Sequence, residues 1–209
     1  MTTKQRYDGV IAWFSEHMPV AESELHYTDP YQLLVAVILS AQCTDKRVNM
    51  TTPALFEAFP TPFDMAAATA EDIYPYIKSI SYPNNKARNL AGMARMLCSE
   101  FGGEVPSDLQ QMQRLPGVGR KTANLLLGDI YGTPGSVVCD THCIRICNLL
   151  GLASGKDPAK VEQQLRAILP PEESSDFCHR LVLHGRAVCT ARKPLCSTCC
   201  VRHVCQTAE

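Results

Sequence analysis

Three groups of residues in this 209-residue chain have types and spacings suited to chemistry. The first is LPGVGRKTANLLL, Leu115 to Leu127, where a Pro-Gly turn and a second glycine lead into adjacent Arg120 and Lys121 and then an apolar run. Gly117 and Gly119 expose backbone amides at the start of a helix, which makes a seat for an anion. Arg114 and Arg120 add side-chain donors that hold a phosphate without reading a base. A dinucleotide fingerprint fits poorly, because GVGRKT lacks the third glycine and follows a helix rather than a strand. A purely structural helix-helix turn is the plainer alternative. Lys121 supplies an amine, which either makes a phosphate contact or, when neutral, attacks an electrophilic carbon.

The second group is CTARKPLCSTCCVRHVC, where Cys189, Cys196, Cys199 and Cys205 are separated by six, two and five residues. Four thiolates in one short loop suit a tetrahedral zinc or an iron-sulfur cluster, and spacing alone does not choose between them. Cys200 complicates the count, since it is a substitute for Cys199. Arg192 and Lys193 stand between the first two cysteines, on a loop suited to meeting phosphates. The third group is Asp140 before THCIRICNLL, a helix cap by position and a charge by type. Cys139, Cys143 and Cys147 recur at a spacing of four and read as small buried residues rather than a second metal site. His142, His179, His184 and His203 are not needed by any of this chemistry.

The elements that carry these groups read as helices. Asp29 caps and Pro30 opens DPYQLLVAVILSAQ, which is apolar on all sides and so predicts a buried helix. NNKARNLAGMARMLCSEFGG places Leu90, Met93, Ala94, Leu97 and Phe101 at helical spacing and stops at Gly102 and Gly103. Ser107 is expected to cap DLQQMQRL, Asp140 to cap THCIRICNLL, and Asp157 with Pro158 to start AKVEQQLRAIL. Leu109 to Leu115 and Arg120 to Tyr131 then flank the Pro116 to Gly119 hairpin. No stretch alternates with strand period, so the fold class is all-α.

Composition sets the bounds. A hydrophobic content of 45% fills a core at this length. The net charge of -1 hides an asymmetry: residues 1 to 113 carry 8 Lys and Arg against 13 Asp and Glu, and residues 114 to 209 carry 12 against 8. The basic half contains both the hairpin and the cysteine loop, which points to an anionic partner. The N-terminus lacks the apolar core of a signal peptide, and the apolar run Leu33 to Leu39 is far shorter than a membrane span. A soluble intracellular protein is expected, with thiols for ligation rather than a disulfide framework.

The ordered combination of LPGVGRKTA, VCDTH at Val138 to His142, LHGR at Leu183 to Arg186 and the 6-2-5 cysteine loop resembles bacterial endonuclease III, a family of DNA glycosylases with AP lyase activity. LSAQCTDKRVN at Leu39 to Asn49 also resembles that family's early active-site helix. The resemblance runs from about Leu33 to Cys205.

It implies two all-α domains, a helical barrel of residues 23–133 with a helix-hairpin-helix motif, and residues 1–22 plus 134–209 around a 4Fe-4S cluster. Cys189, Cys196, Cys199 and Cys205 would hold that cluster, zinc being the alternative. Lys121 and Asp140 match the family's catalytic pair. Gly117, Gly119, Arg120, Arg192 and Lys193 are expected to touch DNA. Gln42 matches a glutamine that fills the hole left by an extruded nucleotide, and Tyr82 falls where the family has a leucine wedge. The implied partner is duplex DNA with damaged bases or abasic sites, met by a cytoplasmic bacterial monomer that removes oxidised pyrimidines and cuts by β-elimination. A mismatch glycosylase without the lysine nucleophile and a non-catalytic DNA-binding module are the alternatives.

Overall fold

The computed structural model describes residues 1–19 and 21–208. Among these the chain forms eleven α-helices, a few single 3-10 turns and no strand, so the all-α expectation holds. Contacts divide it into two compact units, Ser23–Tyr131 and Met1–Glu22 with Gly132–Glu209. None of the described helices is long and apolar enough to cross a membrane.

The Ser23–Tyr131 unit is built around α2 (Pro30–Ser40). Asp29 accepts from the Gln32 amide at 2.8 Å, Pro30 opens the first turn, and every residue from Leu33 to Leu39 is buried. Burial on all sides is what an apolar run without a polar face demands. It is met by α3 (Asp45–Ala58), α6 (Pro83–Phe101) and α8 (Arg120–Tyr131), all packed on α2. Each fully buried leucine or isoleucine contributes about 1.5–3 kcal/mol, and Leu33, Leu34, Leu39, Leu55, Leu90 and Leu97 are all in this core. Two short helices, α4 (Pro62–Ala67) and α5 (Ala70–Ile77), pack against α6 and start in capping boxes of Thr61 with Asp64 and Thr69 with Asp72. Gly102 ends α6 in the left-handed conformation, and the Gly103 amide reaches back to Leu97 O at 2.9 Å.

One cap differs from expectation. The cap of α7 (Leu109–Arg114) is Asp108, not Ser107: the Asp108 carboxylate accepts from the Gln110 and Gln111 amides at 2.9 and 3.0 Å. An aspartate one residue nearer the helix satisfies two orphan amides with one oxygen, so it takes the position.

The other unit joins α1 (Thr3–His17) to α9 (Thr141–Leu150), α10 (Pro158–Arg166) and α11 (Ser174–Ala187). Phe14 meets Phe177 with ring centres 6.4 Å apart, and Arg6 donates to Val204 O at 2.8 Å, tying the first helix to the last loop. Helices α9 and α11 approach closely because Gly185 faces α9. A Cβ there would lie 2.6 Å from the His142 ring and 2.8 Å from Ile146.

Candidate active site

The hairpin between α7 and α8 is positioned by apolar anchors on either side of its glycines. Leu115 and Val118 are buried, and the Val118 amide donates to Leu115 O at 3.0 Å to close the turn. Gly117 has φ +86, and a Cβ there would press on Asn89 and Ile38 at 3.2–3.3 Å, so the fold itself requires glycine at this position. Gly119 differs: it needs no positive φ, and nothing lies within 4 Å of where a Cβ would stand. Its glycine leaves bare backbone at the mouth of α8, where orphan amides and the positive end of the helix dipole favour an anion. Arg120 and Lys121 open α8 and are exposed. Arg114, expected to help hold a phosphate, is paired with Glu100 and lies over the Phe101 ring.

Gly117 therefore rests on Ile38 of α2 and Asn89 of α6, and the ends of those same helices carry the other expected DNA-facing residues. Gln42 follows the C-terminus of α2, and Tyr82 immediately precedes α6. Both are exposed, Tyr82 by 62%. The two loops touch, since the Ser81 hydroxyl donates to Gln42 O at 2.8 Å.

In the other unit, Asp140 caps α9. Its Oδ1 accepts from the Cys143 amide at 2.7 Å, while Oδ2 lies 3.4 Å from Nδ1 of His142. Oδ1 thus caps the backbone of α9, while Oδ2 meets the side chain of His142. His142, set aside on sequence grounds, is the neighbour of that second oxygen, held there by the close approach that Gly185 permits.

The four cysteines of the last loop line one cavity of about 350 Å³, together with Leu149, His184 and Leu195, and Cys200 is not part of its lining. Arg145 Nη1 donates toward Cys189 Sγ at 3.6 Å, His184 Nε2 lies 3.8 Å from Cys199 Sγ, and Cys205 Sγ lies 3.4 Å from Leu149 O. Among the described residues no three His, Cys, Asp or Glu side chains converge on one ion-sized point. Burial pushes the Cys199 thiol up, against the lowering effect of a hydrogen bond with the Val201 backbone. Arg192 and Lys193 are exposed on this loop. Cys143 and Cys147 sit on α9 and Cys139 just before it; all three are buried, and the Cys143 thiol, contacting Cys139, Cys147 and Cys178, is pushed strongly upward by those contacts and by burial.

Known proteins resemble this chain over most of its length. Residues 35–171 match the model of the HhH-GPD superfamily of base excision DNA repair proteins. The chain is 42% identical over 206 residues to endonuclease III of Synechocystis, covering 99% of this chain and 94% of that one. It is 40% identical over 200 residues to endonuclease III of Escherichia coli, covering 96% and 94%. A solved structure of a trapped endonuclease III-DNA covalent intermediate superposes with a TM-score of 0.93 at 40% identity, covering 100% of this chain and 98% of that one.

Proposed function

The chain belongs to the endonuclease III family of HhH-GPD base excision DNA repair proteins, DNA glycosylases with AP lyase activity, and on that premise we propose that it excises oxidised pyrimidines from duplex DNA through a Schiff base on Lys121. The observation that carries this reading is an exposed lysine in the first turn of a helix whose mouth is bare glycine backbone. The amides at Gly117, Gly119 and Arg120 seat a phosphate of the lesion strand, and the amine beside them faces the attached sugar.

The chemistry follows from the residue types. The neutral amine forms a bond to C1′ as the bond from C1′ to the damaged base breaks, and the departing base takes up a proton. The sugar ring opens to a protonated imine. Loss of a C2′ proton then drives electrons into a C2′–C3′ double bond and expels the 3′ phosphate, which cuts the strand; water finally releases the enzyme. Asp140 stabilises positive charge on the sugar as the base leaves. To expose C1′ the nucleotide is extruded from the stack, and Gln42 and Tyr82 fill and wedge the gap. Arg192 and Lys193 add backbone contacts whose strength falls with salt.

The reading is tested by borohydride reduction of the protein with a duplex carrying one oxidised pyrimidine. A covalent adduct is expected on that duplex and none on the undamaged one. Good binding to the damaged duplex without any adduct would exclude the lysine route and favour a water-using glycosylase or a binding module.

A 4Fe-4S cluster is assigned to Cys189, Cys196, Cys199 and Cys205. An all-thiolate set suits zinc as well, but a cavity of about 350 Å³ that all four cysteines help to line suits a group larger than one ion. Such a cluster would tie Arg192 and Lys193 into a folded loop. The purified holoprotein is expected to be yellow-brown. Cys199→Ser should lose the colour and Cys200→Ser keep it; a colourless protein holding only zinc would overturn the assignment.

A further inference from the structure

Among the described residues, the non-glycines in the left-handed backbone region are Gln42, φ 53, and Tyr82, φ 54. Such positions are strained for a side chain with a Cβ and persist only where the surroundings over-determine them. Neither residue is a small polar one that favours this conformation, and Tyr82 precedes a proline, which restricts it further. Both strained residues are on the loops assigned to probe the DNA.

One buried side chain holds both loops. Lys86, on the first turns of α6, is 5% exposed. Its ammonium donates to Leu39 O and Ala41 O at 2.7 Å each and to Ser81 Oγ at 3.2 Å. Ser81 in turn donates to Gln42 O at 2.8 Å, with Ala41 O at 3.3 Å as a second acceptor. All three ammonium protons are satisfied, by uncharged oxygens only. The charge faces the last carbonyls of α2, the negative end of that helix. Burial pulls the Lys86 pKa below the usual lysine value, the nearby Cys43 acting against it. A cation kept in so costly a place answers to something other than packing, since a lysine on the apolar stripe of Leu90, Met93 and Leu97 has simpler replacements.

We propose that Lys86 and Ser81 form a clamp that locks Gln42 and Tyr82 into one rigid two-pronged probe, which makes both of them positioning residues for extrusion of the damaged nucleotide. This rests on the reading of Gln42 and Tyr82 as the residues that enter the duplex. A preset probe spends no binding energy on ordering two loops at the moment of extrusion. Lys86 is buried beneath the probe and acts on it through the Leu39 and Ala41 carbonyls and the Ser81 hydroxyl.

The test is single-turnover excision by the full-length holoprotein of 5-hydroxyuracil in two duplexes, one with the lesion paired and one with an abasic spacer opposite it. With a spacer there is no pairing to break, so extrusion is easy. Lys86→Met is expected to slow the paired substrate about 10- to 100-fold and the spacer substrate less than about threefold. Ser81→Ala, which keeps the lysine-carbonyl bonds, should show the same selectivity at about 3- to 10-fold and decides the matter if Lys86→Met does not fold. Equal slowing on both duplexes, or none on either, overturns the clamp. Gln42→Ala and Tyr82→Ala run alongside separate the layers. If these slow the paired substrate while Lys86→Met and Ser81→Ala do not, the clamp falls and the probe stands. If they change nothing while the wild type excises, the probe reading falls and takes the clamp with it. A wild type that excises from neither duplex overturns the function beneath both.

Discussion

Lys121→Ala is expected to abolish the borohydride-trapped adduct and to lower single-turnover excision at least about a thousandfold, the scale on which removal of a covalent nucleophile acts. The fold should be indifferent to the change. Lys121 is exposed in the first turn of α8, with no cap or core contact to lose, and alanine is the strongest helix former. Binding should change little, because at most one phosphate contact disappears and the slope of log K against log salt falls by about one. Lys121→Arg sharpens the comparison. It keeps a positive charge at the mouth of the helix and restores the phosphate contact, yet a guanidinium forms no Schiff base. Binding like the wild type with no adduct is therefore expected of the arginine protein. If instead both variants still trap, the nucleophile is elsewhere; if both keep full excision and only the alanine protein binds less well, Lys121 is a phosphate contact and the catalytic reading is wrong.

The parts of this site that were legible in the sequence are those whose cause is local. Asp29 with Pro30, Asp140 and Asp157 announce helix starts because a cap acts over three residues, and the structure has all three. The continuous apolar run after Pro30 implies a helix buried on every face, and it is. Even here neighbours compete, as Asp108 does with Ser107 for the start of α7. What was not legible depends on partners distant in the chain. Lys86 reads as a surface lysine in NNKARNL, and its acceptors at Leu39 and Ala41 are 47 and 45 residues away. One signal was available: Lys86 lies four residues before Leu90, on the same stripe as Met93 and Leu97, where a charge is out of place. The left-handed backbones at Gln42 and Tyr82 left no trace at all, since neither residue type prefers that region. His142 is not needed by the expected chemistry, and nothing local turns a histidine two residues after a cap toward it; the room for it comes from Gly185 on α11.

On the proposed mechanism the Asp140 carboxylate has two separable functions, and replacement by asparagine divides them. Asparagine keeps an oxygen to accept from the Cys143 amide, now made at 2.7 Å, and it is as good a cap as aspartate. Stability should therefore change by less than about 0.5 kcal/mol. The charge is lost. If the sugar becomes cationic about 4 Å from the carboxylate, the attraction is about 4 kcal/mol at an effective dielectric of 20, and its loss slows base excision by about a thousandfold, within a range of 10² to 10⁴. Asp140→Ala removes cap and charge together, so it should lose as much activity and also about 1 kcal/mol of stability, a fall in Tm of about 2–4 °C for a chain of this size. The lyase step on a preformed abasic site provides an internal control. There the aldehyde is already present and no base has to depart, so the carboxylate stabilises less developing charge and the asparagine protein should lose far less activity than on a damaged base. An asparagine protein that excises within threefold of the wild type, beside an alanine protein that fails through instability, would reduce Asp140 to a helix cap. Slowing of excision by asparagine without a change in Tm would show that one oxygen holds α9 while the other serves the reaction.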